Sequence, residues 1–297
     1  MVWRPSKTVG LLTGLIFILT IGGINVYLIG TLLGQSIDVN LFITALLLVI
    51  SMPLFFLWCY WYAGLIALRY YLDRNGLVIS SVGYRYTIPM HTIRGILLGA
   101  NVTMERGFRG VGWPGYLKGH MQLADLGLLW VHSTEPLSKQ VIIVTDTVCH
   151  GISPRSPMAF VEDYVRRRAL KPMRELPNEQ VRLDLAALPI WHDRVYWVGM
   201  GLALLADVAL FGWVAARFSA LPSFIPLHVS TTGEVVRIAA KISVFMLPVI
   251  GVLTTTVNGL AGLLFHKRER LGTYMLLGSM LLVHVALWLA AIGMIGK

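Results

Sequence analysis

The residues of this chain best suited to chemistry are an acid and a histidine that lie inside long apolar segments. Asp207 lies near the middle of run 196–218 and is the only acidic residue within any membrane-length run. His284 lies near the middle of run 271–295, and Asn258 lies in the run between them. A charge at that depth in a bilayer costs about 3 kcal/mol on insertion scales, so it usually has a partner or a function.

These three polar residues have two interpretations. An acid and an imidazole at matched depth are suited to a proton-linked or ion-binding relay. They are also suited to interhelical hydrogen bonds that fix helix order, each worth about 0.6 kcal/mol. One acid and one histidine are few for a transport pathway, and the sequence has no repeat of the transporter type. The sequence therefore favours the hydrogen-bonding role for Asp207, Asn258 and His284.

A second set of candidate residues is basic and lies in the polar middle of the chain. The glycine-rich segment 107–115 includes Arg109 and is followed by Lys118, so exposed backbone N–H groups and cations are available to an anion. It lacks the Gly-Lys-Ser/Thr ending of a P-loop, and a plain β-connection is the alternative. Phe108 and Trp113 are candidate interfacial anchors. The residues predicted to contact an anionic ligand or a protein partner are Arg69, Arg85, Arg94, Arg109 and Lys118.

The sequence contains no motif that names a reaction. Cys149 and His150 resemble a nucleophile and its base, but adjacent residues on a strand point to opposite faces. The other histidines of this region lack a second ligand type at metal spacing: His91, His120 and His132. We therefore predict no catalytic residue, no metal site and no cofactor, and we predict that the protein is not an enzyme.

The composition assigns much of the chain to lipid. Hydrophobic residues make up 56% and charged residues 13%, and this charged share is about half that of soluble domains. A membrane-spanning helix needs about 20 mostly apolar residues. Five runs have that length: Val9–Leu33, Leu41–Leu68, Tyr196–Phe218, Ile242–Phe265 and Leu271–Ile295. The first exceeds the roughly 7–15 residues of a signal-peptide core, so we predict that it is retained.

Charge indicates both orientation and partners. Arg4 and Lys7 precede the first run, and the basic turn 266–270 joins the last two, so the N-terminus is predicted to be inside. Arg237 and Lys241, at the other end of the fourth run, count mildly against this orientation. The net charge of +10 fits apposition to anionic lipid. The basic residues form no stripe with interleaved aromatic residues, so nucleic acid is not a predicted partner.

Between the second and third runs the pattern changes to that of short strands. Asn75-Gly76 between apolar β-formers predicts a hairpin with a type I′ turn, which requires positive φ at both residues. Further strands are predicted at Tyr84–Ile88, Thr92–Leu98, His120–Ala124, Gly127–His132 and Gln140–Thr145. Ser156 as N-cap and Pro157 at the first position predict a helix that ends near Lys171-Pro172. Strands at this spacing favour a small antiparallel barrel or sandwich that the helix closes.

Several short segments occur in a recognisable order: Asn75-Gly76-Leu77, Tyr86-Thr87-Ile88-Pro89, Pro114-Gly115-Tyr116, Ile152-Ser153-Pro154 and Phe160-Val161. In this order, over residues 69–170, the sequence resembles the bacterial PH-like domains that are fused to membrane helices. The resemblance implies a barrel with a C-terminal capping helix. It implies no enzymatic activity, because members of this type have no agreed one.

The sequence therefore predicts an α-helical membrane protein with five transmembrane helices and an inserted all-β PH-like barrel capped by a C-terminal helix. The predicted domains are two transmembrane helices at 1–68, a cytoplasmic PH-like domain at 69–171, a linker or interfacial segment at 172–194, and three transmembrane helices at 195–297. We predict a multi-pass protein of the cell membrane with its C-terminus outside.

In the predicted function, the barrel binds an anionic lipid headgroup or a protein partner, as an accessory or scaffold component of a membrane complex. The expected partners are the bilayer and other subunits of that complex. Two alternatives remain open. One is a small proton- or ion-linked transporter subunit that uses Asp207 and His284. The other is a membrane enzyme that acts on lipid.

Overall fold

A computed structural model describes most of the chain. The described residues are 1–170, 172–173, 179–182, 189–229, 235–266 and 269–295. The chain divides into two compact units. The first unit is Met1–Asn25 with Ser51–Leu183, and the second is Val26–Ile50 with Asp184–Lys297.

Five described helices are long and apolar enough to cross a membrane, by length and composition. They are α1 (Thr8–Leu32), α2 (Val39–Ala67), α4 (Arg194–Phe218), α5 (Met246–Phe265) and α6 (Arg270–Ile295). Each contains one of the predicted apolar runs or most of it, so the five helices are confirmed. Local signals set two of the starts: Asp38 accepts the Leu41 N–H before α2, and Asp193 caps α4. The remaining helix, α3 (Pro157–Ala169), lies in the middle of the chain.

The strands of the described residues lie mainly between α2 and α4. They are β1 (Val2–Trp3), β2 (Arg69–Leu72), β3 (Gly76–Ser81), β4 (Tyr84–Pro89), β5 (Ile93–Leu98), β6 (Met104–Trp113), β7 (Tyr116–Leu123), β8 (Gly127–Ser133), β9 (Val141–Thr145), β10 (Cys149–Ile152), β11 (Glu179–Arg182), β12 (Phe224–Val229) and β13 (Val235–Ala240). One sheet has the order β1-β2-β3-β4-β11 and a second has the order β5-β9-β10-β8-β7-β6. All pairs are antiparallel except β8–β10, which is parallel. β12 and β13 form a separate hairpin between α4 and α5.

The two sheets share one core that α3 closes. Alternate residues of β2 and β3 point inward, and Tyr70 and Ile79 are fully buried. Phe160 and Tyr164 extend from α3 into the same cluster as these strands, with Trp3 edge-on to Phe160 at 5.5 Å. The predicted capping helix is therefore confirmed, and so is its start at Pro157. Val165 of this helix is 59% exposed, because it lies about 100° around the helix from the buried Tyr164.

The hairpin between β2 and β3 exists, but its turn is not the predicted one. Gly76 does not have positive φ and begins β3 instead. The Asp73 side chain accepts the N–H groups of Asn75 at 2.6 Å and Gly76 at 3.0 Å. An aspartate that satisfies the turn in this way makes the left-handed conformation unnecessary.

Other predicted strands are confirmed, with differences at their edges. The glycine-rich segment, predicted as an anion-binding segment or a plain β-connection, lies in β6, which pairs with β7 through two register shifts. β7 begins at Tyr116, four residues before the prediction. The short strand β10 and the hairpin β12–β13 were not predicted. Lys171, part of the predicted helix end, lies outside the described residues, as do residues 174–178 and 183–188 of the predicted linker and Lys267 and Arg268 of the basic turn.

Candidate functional site

The second unit brings Asp207 and His284 together. The His284 Nε2 atom lies 2.9 Å from the Asp207 Oδ1 atom, and each side chain is 3% exposed. Thr255 on α5 donates its hydroxyl to the other carboxyl oxygen, Asp207 Oδ2, at 2.7 Å. Gly251, one turn earlier on α5, leaves room for the carboxyl group because a Cβ atom there would meet it. One group from each of α4, α5 and α6 therefore meets at a buried point.

The hydrogen-bond partners of His284 fix how many protons this pair holds. The Nδ1 atom lies 2.8 Å from the Met280 carbonyl oxygen, which only accepts, so Nδ1 carries a hydrogen. The short contact between Nε2 and Asp207 Oδ1 then requires one further proton between them. The pair is either imidazolium with carboxylate or neutral imidazole with carboxylic acid, and its net charge is zero in both cases. A neutral pair avoids burying an uncompensated charge.

Asn258 does not join this pair. Its side-chain amide donates to the Thr254 carbonyl within α5, at 2.9 Å. Thr255 makes the contact with Asp207 instead. The rotation of a helix about its axis decides which of its polar residues faces the neighbouring helices, and the sequence does not show this rotation. Of the three predicted intramembrane polar residues, the structure therefore unites two.

Apolar layers lie on both sides of the pair. Ala203, Leu277 and Met280 are buried on one side, in a cluster that extends to Tyr196. Leu210 and Ala291 are buried on the other side. Within the described part of the second unit, we find no chain of polar side chains that continues from Asp207 through either layer. This arrangement favours the hydrogen-bonding interpretation over a relay.

Asp193 makes a second acid–histidine contact, at the start of α4. Its Oδ1 atom accepts the N–H groups of Val195 and Tyr196, and its Oδ2 atom accepts the Tyr274 hydroxyl at 2.8 Å. His266 Nε2 lies 3.5 Å from Oδ2. The Tyr274 hydrogen bond is the main cause that lowers the pKa of Asp193. Sequence reasoning did not single out this residue, although an acid directly before an apolar run is an N-cap signal.

The predicted anion contacts of the first unit separate into different environments. Arg94 forms an ion pair with Asp146, so a carboxylate already occupies its guanidinium. The Lys118 ammonium group lies over the Tyr84 ring, 4.5 Å from its centroid. Arg109 is exposed on β6, in the register position opposite His120.

Arg69 and Arg85, in contrast, lie on one surface. Each pairs in register with Ser80 of the intervening strand β3, so the three side chains occupy one row across the first sheet. Both arginines are exposed, while their neighbours Tyr70 and Tyr84 point into the core. Strands are about 4.8 Å apart, which places the two arginine positions roughly 10 Å apart. This row begins two residues after α2 ends.

The end of the glycine-rich segment makes structural contacts with α1. The Trp113 indole donates to the Gly10 carbonyl at 3.0 Å, and the Thr13 hydroxyl donates to the Pro114 carbonyl at 2.8 Å. Gly115, with φ of +85°, lies against the backbone of Gly10. Trp113 is only 6% exposed, so it is packed against α1 and α2 and is not a free interfacial anchor. The tip of the β6–β7 hairpin thereby fixes the barrel to the helix pair of its own unit.

Two surface grooves of about 450 and 380 Å³ lie on the barrel, and Glu135 lines both. The larger one also includes Phe108 and Gly110 of the glycine-rich segment. The smaller groove is also lined by Lys139 and Arg155, and the Lys139 ammonium group lies 3.8 Å from the Glu135 carboxylate.

Two histidines of the barrel lie together in its core. His132 and His150 are buried side by side, with ring centroids 6.1 Å apart. Tyr70 donates its hydroxyl to the His132 carbonyl at 2.6 Å, and the Tyr84 hydroxyl lies 3.2 Å from His132 Nδ1. These contacts join the two sheets. Among the residues that the structure describes, no group of three or more histidine, cysteine, aspartate or glutamate residues could hold a metal ion.

Comparison with known proteins agrees with this architecture. Two sheets around a shared core, closed by a C-terminal helix, are consistent with a PH-like domain. A family described as "Bacterial PH domain" matches residues 68–168. The resemblance drawn from the sequence is therefore confirmed for this segment. No curated protein and no solved structure matches the chain.

Proposed function

We propose that this chain is a non-catalytic, multi-pass membrane protein whose PH-like domain binds anionic lipid headgroups at the cytoplasmic surface, as an accessory component of a membrane complex. The helices α1, α2, α4, α5 and α6 would cross the bilayer. The single observation that carries the proposal is the row formed by Arg69 and Arg85. Both cations point outward from the sheet, and Arg69 follows α2, a helix of membrane-spanning length, by two residues.

The docking of the barrel on α1 and α2 supports the same proposal. The Trp113–Gly10 and Thr13–Pro114 hydrogen bonds hold the barrel against the first turns of α1. A barrel held there would remain beside the headgroup layer, so basic side chains on its outer face would meet lipid phosphates. Each basic group near an anionic surface contributes about 1 kcal/mol to attraction.

The ionisable groups of the barrel core support a non-catalytic role. Burial raises the pKa of the Cys149 thiol, and its sulfur lies 3.7 Å from the Leu126 carbonyl oxygen. Burial raises the pKa of Tyr70 to about 12 and raises that of Tyr84 well above its ordinary value. These groups hold their protons at neutral pH, whereas a nucleophile or general base must release one.

The proposal is tested with the full-length protein in nanodiscs that contain neutral and anionic phospholipids. We expect anionic lipid to be enriched around the wild-type protein, with an enrichment that falls as salt is raised. The double substitution Arg69→Gln with Arg85→Gln should reduce it. Arg166→Gln is the matched control, because Arg166 lies on the exposed face of α3 beside Glu162. The proposal would be refuted if the wild type showed no enrichment of anionic lipid and no co-purifying subunit.

A further inference from the structure

A third arginine extends the basic row towards the start of the chain. β1 pairs with β2 so that Trp3 lies opposite Tyr70, and Arg4 and Arg69 each adjoin one member of this pair. Trp3 and Tyr70 point into the core, so the two arginines fall on the outer face. The N–H of Arg155 donates to the Arg4 carbonyl at 3.1 Å and holds this backbone in place.

Lys7 brings a third cation to the same point. Its ammonium group donates to the Ile66 carbonyl, in the last turn of α2, at 2.7 Å. Arg69 follows Ile66 by three residues, and Arg4 precedes Lys7 by three. An ammonium group has three N–H donors, so the bond to Ile66 leaves two of them for a ligand.

This cluster of Arg4, Lys7 and Arg69 lacks an acidic partner. None of the ion pairs found among the described residues includes any of the three. Burial, followed by the repulsion of Arg69 and Arg4, lowers the pKa of Lys7 to about 8. An anion placed among the three cations would remove this repulsion.

The position of the cluster indicates where the anion comes from. Lys7 directly precedes α1, and Arg69 follows the last residue of α2 by two positions. Both helices are apolar over the length of a bilayer, so their shared end would lie at the level of the lipid phosphates. A phosphodiester carries one negative charge and accepts several hydrogen bonds, which suits two guanidinium groups and one ammonium group.

We propose that Arg4, Lys7 and Arg69 bind the phosphate of one anionic phospholipid at the junction of α1, α2 and the first sheet. This inference rests on the proposed membrane location and narrows general headgroup attraction to one defined site. The lipid would join β1 and β2 of the barrel to the ends of both helices. It would act as a structural ligand that is retained when bulk lipid is removed.

The experiment measures bound lipid by native mass spectrometry of the full-length protein, extracted gently from vesicles of phosphatidylcholine and phosphatidylglycerol. We expect the wild type to retain one phosphatidylglycerol. Lys7→Gln and Arg69→Gln should each lower its occupancy about tenfold, the loss of one good charge-assisted contact. Lys7→Arg keeps the charge and should retain the lipid. Arg166→Gln should behave as wild type, and a thermal unfolding curve for each variant identifies any that does not fold.

The possible results separate this site from the broader function. If the wild type retains phosphatidylglycerol but Lys7→Gln and Arg69→Gln retain it equally, the defined site is wrong and general headgroup attraction stands. If Arg166→Gln loses as much lipid as they do, the attraction is again nonspecific. If inorganic phosphate at millimolar concentration displaces the lipid completely, the ligand is free phosphate and the lipid assignment is wrong. If the wild type shows no preference for anionic lipid, the broader function fails together with the site.

Discussion

At the scale of single residues, the contact between Asp207 and His284 is defined by one shared proton. Both of its protonation states are neutral overall, and Thr255 bonds to the carboxyl oxygen that His284 leaves open. A substitution that preserves these hydrogen bonds should therefore change the free energy of unfolding little. Removal of one of the side chains leaves the other polar group alone in an apolar layer.

We predict a clear asymmetry between two substitutions at this pair. In Asp207→Asn the amide can donate to His284 Nε2 and accept from Thr255, so unfolding free energy should change by less than about 1 kcal/mol. His284→Ala leaves a buried carboxyl group without its partner and should cost about 3–5 kcal/mol. Thermal unfolding in detergent measures both. Equal losses would contradict the shared-proton description.

The same Asp207→Asn variant distinguishes the alternative transporter function. An amide cannot release a proton near neutral pH, so a relay through this residue would stop. We expect proton flux into proteoliposomes to be the same for Asp207→Asn and wild type. If the wild type showed a flux that the variant lacked, the relay interpretation would replace the hydrogen-bonding one.

Lys7 gives the lipid site a predictable pH dependence. Its pKa is lowered to about 8 in the folded protein, so the ammonium charge is present below that pH and is lost above it. A bound phosphate stabilises the ammonium form of Lys7, so the charge is lost at a higher pH. The phosphodiester itself does not titrate in this range. We expect phosphatidylglycerol retention to fall between pH 7 and pH 10 in the wild type. Lys7→Arg should show no such fall, because arginine remains charged; an identical fall in both proteins would exclude Lys7 as its cause.

Sequence reasoning identified residues whose type conflicts with their surroundings and missed residues that depend on register. Asp207 and His284 were found because charge and imidazole are rare in apolar runs. Arg4 and Lys7 were used only for orientation, since nothing local indicates that the chain start returns to Arg69 after α2. Asn258 was predicted as the polar residue of this run, but the rotation of α5 directs Thr255 to Asp207 instead.

At the scale of elements, the β6–β7 hairpin depends on two glycines that touch. Gly115 has φ of +85°, and a Cβ atom there would enter the backbone of Gly10. We predict that Gly115→Ala destabilises the first unit by about 1–3 kcal/mol through strain and lost docking. Gly107→Ala is the matched control in the same segment, because no atom lies within 4 Å of its Cβ position.

The measurement for this pair combines thermal unfolding with tryptophan fluorescence. Trp113 donates to Gly10 beside the substituted residue, so undocking should expose its indole and shift emission to longer wavelength. Gly107→Ala should leave both signals unchanged. A wild-type-like Gly115→Ala would mean that this contact does not hold the barrel to α1.

Strands and helices were predictable where each carries its own local signal. Pro157 at the first helical position located α3, and the apolar alternation of Tyr84–Ile88 located β4. β6 has neither signal, because most of its residues are exposed and its pairing with β7 is the only reason for its extended form. The residues after Leu72 were predicted to form a turn. Residue types alone do not show whether Asp73 or the Asn75-Gly76 pair sets the conformation of that turn.

At the scale of the whole molecule, the order of two apolar helices, a β-rich middle and three apolar helices follows from hydropathy alone. That order could be predicted because segments of about 20 apolar residues cannot be mistaken for strands of five. The assignment of α1 and α2 to two different units was not predictable. Each of the two helices contributes one segment to each unit, and only tertiary contacts define such a division.

Orientation is the property of the whole chain that charge predicts most directly. Arg4 and Lys7 precede α1, whereas the loop between α1 and α2 contains Asp38 as its only charged residue. Basic residues close to helix ends remain on the cytoplasmic side, so the N-terminus and the PH-like domain should be inside. The proposed lipid site requires the cytoplasmic side only if anionic lipid is concentrated on that side of the membrane. Orientation therefore needs a separate test.

Single cysteines in a background that lacks Cys59 and Cys149 provide this test. Ser36→Cys lies in the exposed α1–α2 loop, and Met158→Cys replaces a side chain that is 63% exposed on α3. A membrane-impermeant maleimide added to intact cells should label Ser36→Cys, which is predicted to be outside. It should label Met158→Cys only after permeabilisation. The reverse pattern would place the barrel outside the cell, because α2 alone separates the two positions across the bilayer.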